Sequence, residues 1–150
     1  MAESVIVRQA VIDDIDELYR IEEAGFEHDR FDKKQFRHLI TKANATVLVL
    51  IHNIKICGYS IMLWRKNSKR ARLYSIVIDP QAHGKGLGGQ LLRASEELAS
   101  SLGCEEISLE VRVDNKPAIH VYERHGYREI KPLIGYYSDG ANGMHMLKLL

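Results

Sequence analysis

Cysteine, proline and tryptophan are scarce in this 150-residue chain, which holds two, three and one of them. Cys57 and Cys104 stand in neither a CxxC pair nor a zinc-type spacing, so neither a disulfide framework nor a structural zinc site is expected, and two thiols suit a reducing compartment. Charge of one sign is missing as well: 21 Lys and Arg face 20 Asp and Glu, a net of +1. That balance supplies no broad field for nucleic acid or an anionic membrane and leaves room only for local basic sites. Long apolar runs are lacking; the longest, Val47–Ile51, is far too short to cross a bilayer. Acidic Glu3, Asp13, Asp14 and Asp16 make the N-terminus unlike a signal or transit peptide. No repeat, low-complexity tract or Pro/Gly/Ser linker divides the chain. These absences predict one cytoplasmic domain over residues 1–150, long enough to bury a core unaided.

The apolar pattern predicts the order β-α-α-β-β-β-α-β-α-β-β. Val5 to about Ala10 reads as a strand, followed by a helix capped by Asp13 with Ile15, Leu18 and Ile21 on one face. The polar connection Glu27-His28-Asp29-Arg30 leads to a helix opening at Asp32, where Gln35 completes a capping box ahead of Phe36, Leu39 and Ile40. Three strands follow, Thr46–Ile51, Ile54 to about Trp64 and Leu73–Ile78, joined by turns at His52-Asn53 and Asn67-Ser68. The next helix turns Leu91, Leu92, Leu98, Ala99 and Leu102 inward and stops at Gly103. After a strand Ile107–Val113, Asn115 caps a helix with Pro117 in its first turn and Gly126 beyond its end. Two strands, about Tyr127–Tyr136 and Met144–Leu149, complete a mixed sheet with helices on both faces.

Four of the eleven glycines fall between residues 84 and 89, after a strand and before a helix. Such a loop presents backbone N–H groups at a helix N-terminus, where the dipole favours an anion, and Lys85 adds charge. Gly84-Lys85-Gly86-Leu87-Gly88-Gly89 also satisfies GxGxxG, with Glu105 and Glu106 at about the distance of a ribose contact. The dinucleotide fold, however, needs repeated βαβ units, and here three meandering strands precede the loop. The Walker pattern fails because no Ser or Thr follows a Gly-Lys pair. A ligand-free glycine turn is the plain alternative.

Read with its flanks, Val77-Ile78-Asp79-Pro80-Gln81-Ala82-His83-Gly84-Lys85-Gly86-Leu87-Gly88 resembles the acetyl-CoA motif of the GNAT N-acetyltransferases, whose core is Q/R-x-x-G-x-G/A. Leu109-Glu110-Val111-Arg112-Val113-Asp114-Asn115, with Ala118, Tyr122, Gly126 and Tyr127, resembles that family's next segment at its usual spacing. The Leu-Glu-Val-Arg block and the Tyr136-Tyr137 pair are most similar to the RimI type, which acetylates the N-terminal alanine of a ribosomal protein. The resemblance implies a GNAT fold: an α/β, mostly antiparallel sheet of about seven strands, with a splayed strand pair holding acetyl-CoA. It implies that Ile76, Val77 and Ile78 bind pantetheine through their backbone, and that the Gly84–Gly89 amides bind pyrophosphate. The cofactor set implied is Ile76, Val77, Ile78, Gln81, His83, Gly84, Lys85, Gly86, Leu87, Gly88, Gly89, Asn115 and Tyr122, with acetyl-CoA as co-substrate and no metal.

Acetyl transfer needs a neutral amine and a protonated leaving thiolate. An α-amine has a pKa of about 7.7–8.0 against about 10.4 for lysine, so deprotonating lysine costs roughly 3.5 kcal/mol more. The resemblance makes Glu110 the base and Tyr122 the acid. Side-chain alternation allows Glu110 to be merely an exposed strand carboxylate paired with Arg112 or a neighbour. Helical spacing of Ala118, Val121, Tyr122 and His125 allows Tyr122 to be merely core. Phe26, Arg30, Phe31, Glu110, Tyr136 and Tyr137 are the expected acceptor contacts, although Gly25–Phe31 lacks the Pro-Trp feature of close RimI relatives, and the two tyrosines could be a plain hairpin turn. None of the seven histidines, His28, His38, His52, His83, His120, His125 and His145, pairs with a carboxylate in a zinc-protease pattern. Lys66, Lys69, Arg70 and Arg72 form a basic cluster suited to a solvated turn, the adenosine 3′-phosphate or an acidic partner. The expected partners are acetyl-CoA and a peptide N-terminus or small amine, with no nucleic acid or membrane, in a monomer or homodimer. A strongly acidic groove would favour polyamines; a narrow one lined by Tyr136 and Tyr137 would favour a peptide. A non-catalytic acyl-CoA-binding module is the remaining class.

Overall fold

The computed structural model describes residues 4–26, 30–42 and 44–150. Seven strands form one sheet in the order β1-β2-β3-β4-β5-β7-β6: β1 Val5–Gln9, β2 Ala45–His52, β3 Lys55–Leu63, β4 Arg70–Ile78, β5 Glu106–Arg112, β6 Arg128–Leu133 and β7 Gly143–Leu149. Every neighbouring pair is antiparallel except β4–β5. Four helices, α1 Ile15–Gly25, α2 Lys33–Thr41, α3 Leu87–Ser101 and α4 Lys116–Arg124, give the element order and the fold class that the sequence predicts.

The period-2 alternation of β2 explains why helices cover both faces. Val47 and Val49 join Leu18, Ile21 and Phe36 beneath α1 and α2, whereas Leu48 and Leu50 join Leu87 and Leu91 of α3. A third apolar cluster unites Leu92 and Ala99 of α3 and Ile119 of α4 with Ile107, Leu109 and Val111 of β5. Ser108, Glu110 and Arg112 therefore point to the α1/α2 face.

The box at α2 forms as predicted, with Gln35 N–H donating to Asp32 at 2.7 Å and Asp32 N–H to the Gln35 side chain at 2.8 Å. Asp13 does not cap α1. It lies inside a 3₁₀ turn, Ile12–Asp14, and buried Asp14 instead accepts Val11 N–H at 2.8 Å and pairs with Arg8 at 2.8 Å. Leu102 is not inward; it sits past the last turn of α3 at 60% exposure, because Gly103 at φ 88 already turns the chain away. The strand expected over Tyr127–Tyr136 ends at Leu133, where the chain leaves the ladder with β7. The segment 27–29, including His28, lies outside the described residues.

One irregularity of β4 decides what the two faces present. Ile61 of β3 pairs Ser75 while Met62 pairs Leu73, so Tyr74 is an extra residue in a bulge. An inserted residue flips every later side chain to the other face. Ala71 and Leu73 point to α3 and α4, and after the bulge it is Ile76 and Ile78, not Ser75 and Val77, that do so.

Candidate active site

Strand β4 stays paired with β3 to Ile78, but it pairs with β5 only over Arg70–Arg72 against Glu106–Ser108. Beyond Arg72 the two strands diverge. The gap on the α3/α4 side is a cleft of about 320 Å³, walled by Ile76, Ile78, Leu87, Ala118, Val121 and Tyr122. His83, Gly84, Gly86 and Gly88 line its other end. Gly84 and Gly86 adopt φ 82 and 72, and a Cβ at either would meet nothing within 4 Å, so both lie beside open space. Gly86 precedes α3, whose first intrahelical bond is Gln90 N–H to the Gly86 carbonyl, so the N–H groups of residues 87–89 are the ones a helix start leaves unpaired. An apolar slot ending in unpaired amides fits an acyl-pantetheine arm followed by phosphates.

Not all of the predicted cofactor residues reach this cleft. Val77 turns its side chain into the α1/α2 core, Asn115 caps α4 by accepting Ala118 N–H at 3.3 Å, and Gln81, Lys85 and Gly89 do not line the space. His83, which lines the cleft, donates from Nε2 to the Ile78 carbonyl at 2.9 Å and ties the loop to β4. Ala82, Leu92, Pro117, Ala118 and Val121 line the cleft without having been predicted; the α4 residues carry an ordinary core spacing that hides them. The strand end is fixed by Asp79, which is 2% exposed and accepts from Arg20 at 2.9 Å and from Gln81 N–H at 3.1 Å. Burial would raise the Asp79 carboxyl, but Arg20 and the Gln81 amide together hold it below the usual range. Burial, with Tyr137 nearby, pushes the Tyr122 phenol up to about 12.

Gly58 of β3 faces Ile78, and a Cβ there would fall 2.6 Å from Ile78 Cδ1 and 2.7 Å from the Val77 carbonyl oxygen. The side chain can swing away, but the carbonyl cannot. Gly58→Ala is expected to displace β4 beside the cleft, at a cost of about 1–3 kcal/mol in urea unfolding together with weaker binding of coenzyme A. Unchanged stability and affinity would show that β4 yields freely there.

A second cavity of about 360 Å³ opens on the α1/α2 face of the same divergence. The structure brings Phe26, Phe31, Glu110, Tyr136 and Tyr137 together in its wall, and adds Glu22, Arg72, Tyr74, Ser75 and Arg112, none of them among the expected acceptor contacts. Arg30 is exposed and does not line it. Glu110 pairs neither with Arg112 nor with water alone: Oε2 accepts from Arg72 Nε at 3.2 Å, and its side chain is 17% exposed. Arg72 also reaches the Tyr136 hydroxyl at 3.4 Å and covers the Tyr74 ring at 5.1 Å. Buried Glu22 has both oxygens engaged, one by the Tyr59 hydroxyl and one by Phe31 N–H at 2.8 Å. Burial raises the Glu22 carboxyl, opposed by those two bonds and by the charge of Arg30. Its spacing in α1 matches that of any core position, so no sequence signal marked it.

Tyr137 links the two cavities electrostatically. Burial raises its phenol to about 12, with Tyr136 and Glu110 adding to the rise, and Tyr137 in turn acts on Tyr122. Its ring lies against Gly143, where a Cβ would come within 2.9 Å, and beneath Arg112 at 5.1 Å. Arg112 clamps the same loop through Asp139 at 2.9 and 3.2 Å.

Comparison with known proteins adds four findings. The sequence model of the Acetyltransferase (GNAT) family matches residues 12–127. A Bacillus subtilis (strain 168) protein assigned as [ribosomal protein bS18]-alanine N-acetyltransferase is 30% identical over 94% of this chain and 92% of its own. The crystal structure of the Escherichia coli ribosomal-protein-S18-alanine N-acetyltransferase superposes with a TM-score of 0.87 at 25% identity, covering 97% and 94% of the two chains. A chimeric spermidine N-acetyltransferase from Vibrio cholerae reaches the same TM-score, 0.87, at 19% identity over 97% and 95%, a likeness of fold alone.

Proposed function

The chain belongs to the GNAT acetyltransferase family and is an N-acetyltransferase of that type; on that premise we propose that it moves acetyl from acetyl-CoA to the α-amine of a polypeptide N-terminus by direct attack, in the manner of the RimI type. One observation carries the reading: the cleft lined by Tyr122 and the cavity lined by Glu110 meet at one strand divergence from opposite faces of the sheet. The thioester enters from one side and the amine from the other.

In this reading Ile76–Ile78 and the amides after Gly86 hold the pantetheine and phosphates, and the N–H groups of Ile76 and Ile78, on the edge of β4 away from β3, serve the developing oxyanion. Glu110 takes a proton from the amine as nitrogen bonds to the acetyl carbon, Tyr122 donates to the sulfur as the carbon–sulfur bond breaks, and amide plus free thiol leave. Glu22 is committed to Tyr59 and Phe31, which leaves Glu110 as the carboxylate available to the amine. A polyamine is disfavoured because Arg72 and Arg112 line the cavity, and the Tyr136–Tyr137 wall favours a peptide chain.

The test measures thiol release from acetyl-CoA with an alanine-starting peptide, its N-blocked twin, spermidine and glucosamine. Release with the free terminus alone is expected. Release with spermidine or glucosamine alone would make the protein a small-amine enzyme, and thermal stabilisation by acetyl-CoA without release from any amine would make it a binding module.

A further inference from the structure

Three cavities on the α1/α2 face converge on Arg72. Besides the acceptor cavity, Arg72 lines a space beside α2 that includes Lys34 and Lys42, and a third space that includes Lys42, Arg65, Lys66 and Arg70. Lys42 and Leu63 are common to the second and third. The result is a continuous groove leading away from the acceptor cavity.

We propose that this groove binds an acidic stretch of the acceptor polypeptide immediately following the acetylated N-terminus. The proposal rests on the N-terminal reading above and names the substrate class within it.

Charge is the argument. The chain as a whole is balanced, 21 basic residues against 20 acidic, yet six Lys and Arg line the second and third spaces and Glu110 is the one carboxylate there. Arg72 is paired with Glu110 and Arg70 with Glu106, while Lys34, Lys42, Arg65 and Lys66 have no carboxylate partner among the described residues. His145, on the floor opposite Glu110, registers the same field: burial first, then Arg70, Lys131 and Arg72, pull its imidazole below the ordinary value against the pull of Glu110. The groove also has an apolar wall for an extended chain, where Phe31 packs on Tyr74 at 5.8 Å.

The same layout excludes the adenosine 3′-phosphate as the occupant, because Arg70 and Arg72 lie on the face opposite the glycine loop. A polypeptide is favoured over RNA because the groove begins at the cavity for the amine, so a chain with its first residue seated there advances about 3.3 Å per residue along the basic wall. A net charge of +1 supplies no wider field for a long polyanion.

The experiment compares kcat/KM for three peptides sharing an alanine start and bearing three Glu, three Ser or three Lys at positions three to five, at low and high salt. Each carboxylate is expected to improve kcat/KM by about two- to five-fold over serine, with lysine the poorest and the differences shrinking as salt rises. Replacing Arg65→Glu and Lys66→Glu together should reverse the order and leave the serine peptide's rate unchanged. Equal rates for all three peptides would overturn the groove's role and leave the N-terminal reading standing. Acetylated spermidine with no acetylated peptide would overturn both. Binding of a single-stranded RNA oligonucleotide that the double variant abolishes, without discrimination among peptides, would give the groove to nucleic acid instead.

Discussion

Tyr122→Phe should lower kcat by about 10²- to 10³-fold and leave the affinity for acetyl-CoA within a few-fold, the loss typical of one donor removed from a site of developing charge. The variant keeps the ring that meets Tyr127 edge-on at 5.7 Å, so packing is retained and only the hydroxyl goes. The magnitude of the phenol's shift refines its task. A hydroxyl pushed up to about 12 holds its proton throughout the neutral range. Handing that proton completely to a thiolate whose thiol titrates near 8.5 is uphill by roughly 5 kcal/mol. Its larger contribution is therefore a hydrogen bond donated to sulfur as negative charge grows, in a cleft whose dryness makes the sulfur more basic as well. Because Tyr122 remains protonated, the rate should rise with pH from 6 to 9 as the amine loses its proton, with no falling limb in that interval. Single-turnover kinetics across that range, with calorimetry for coenzyme A, check both statements. A wild-type kcat would return Tyr122 to the core.

Glu110→Gln should cost about 10²-fold in kcat/KM at neutral pH, the usual share of a positioned base. Glutamine keeps an oxygen for Arg72 and occupies the same space, so loss of the ion pair alone does not account for such an effect. The pH profile separates the two roles. An α-amine titrates at about 7.7–8.0, so below that range most acceptor molecules arrive protonated and depend on the base; above it they do not. The deficit should widen towards pH 6 and narrow towards pH 9. A deficit constant with pH would make Glu110 a partner for Arg72 and nothing more.

Most of the architecture was legible because it is local. The Asp32–Gln35 box, the Asn115 cap and the glycine loop before α3 each carry a signature within a few residues, and all three form. Asp13 misled because a 3₁₀ turn intervenes, so that its neighbour Asp14 takes the buried position. The site was legible where motif and geometry coincide: Ile76, Ile78, Gly84, Gly86, Leu87, Gly88 and Tyr122 line the cleft, and Glu110, Tyr136 and Tyr137 line the opposite cavity. What could not be read is what the sheet imposes. The bulge at Tyr74 decides which β4 residues meet the cofactor side, and a bulge has no sequence signature here. Arg72 looked like one charge of a hairpin cluster until β5 laid Glu110 beside it. Glu22 shares the core spacing of α1, and only the fold shows that β3 sets Tyr59 against its carboxylate.

The central claim, acetyl transfer to an α-amine, is met most directly by one peptide that carries both a free N-terminal alanine and an internal lysine, incubated with the protein and acetyl-CoA and sequenced by tandem mass spectrometry. The account predicts a single acetyl group on the N-terminal fragment ions and an unmodified lysine. Acetyl on the lysine side chain with the terminus free would contradict it.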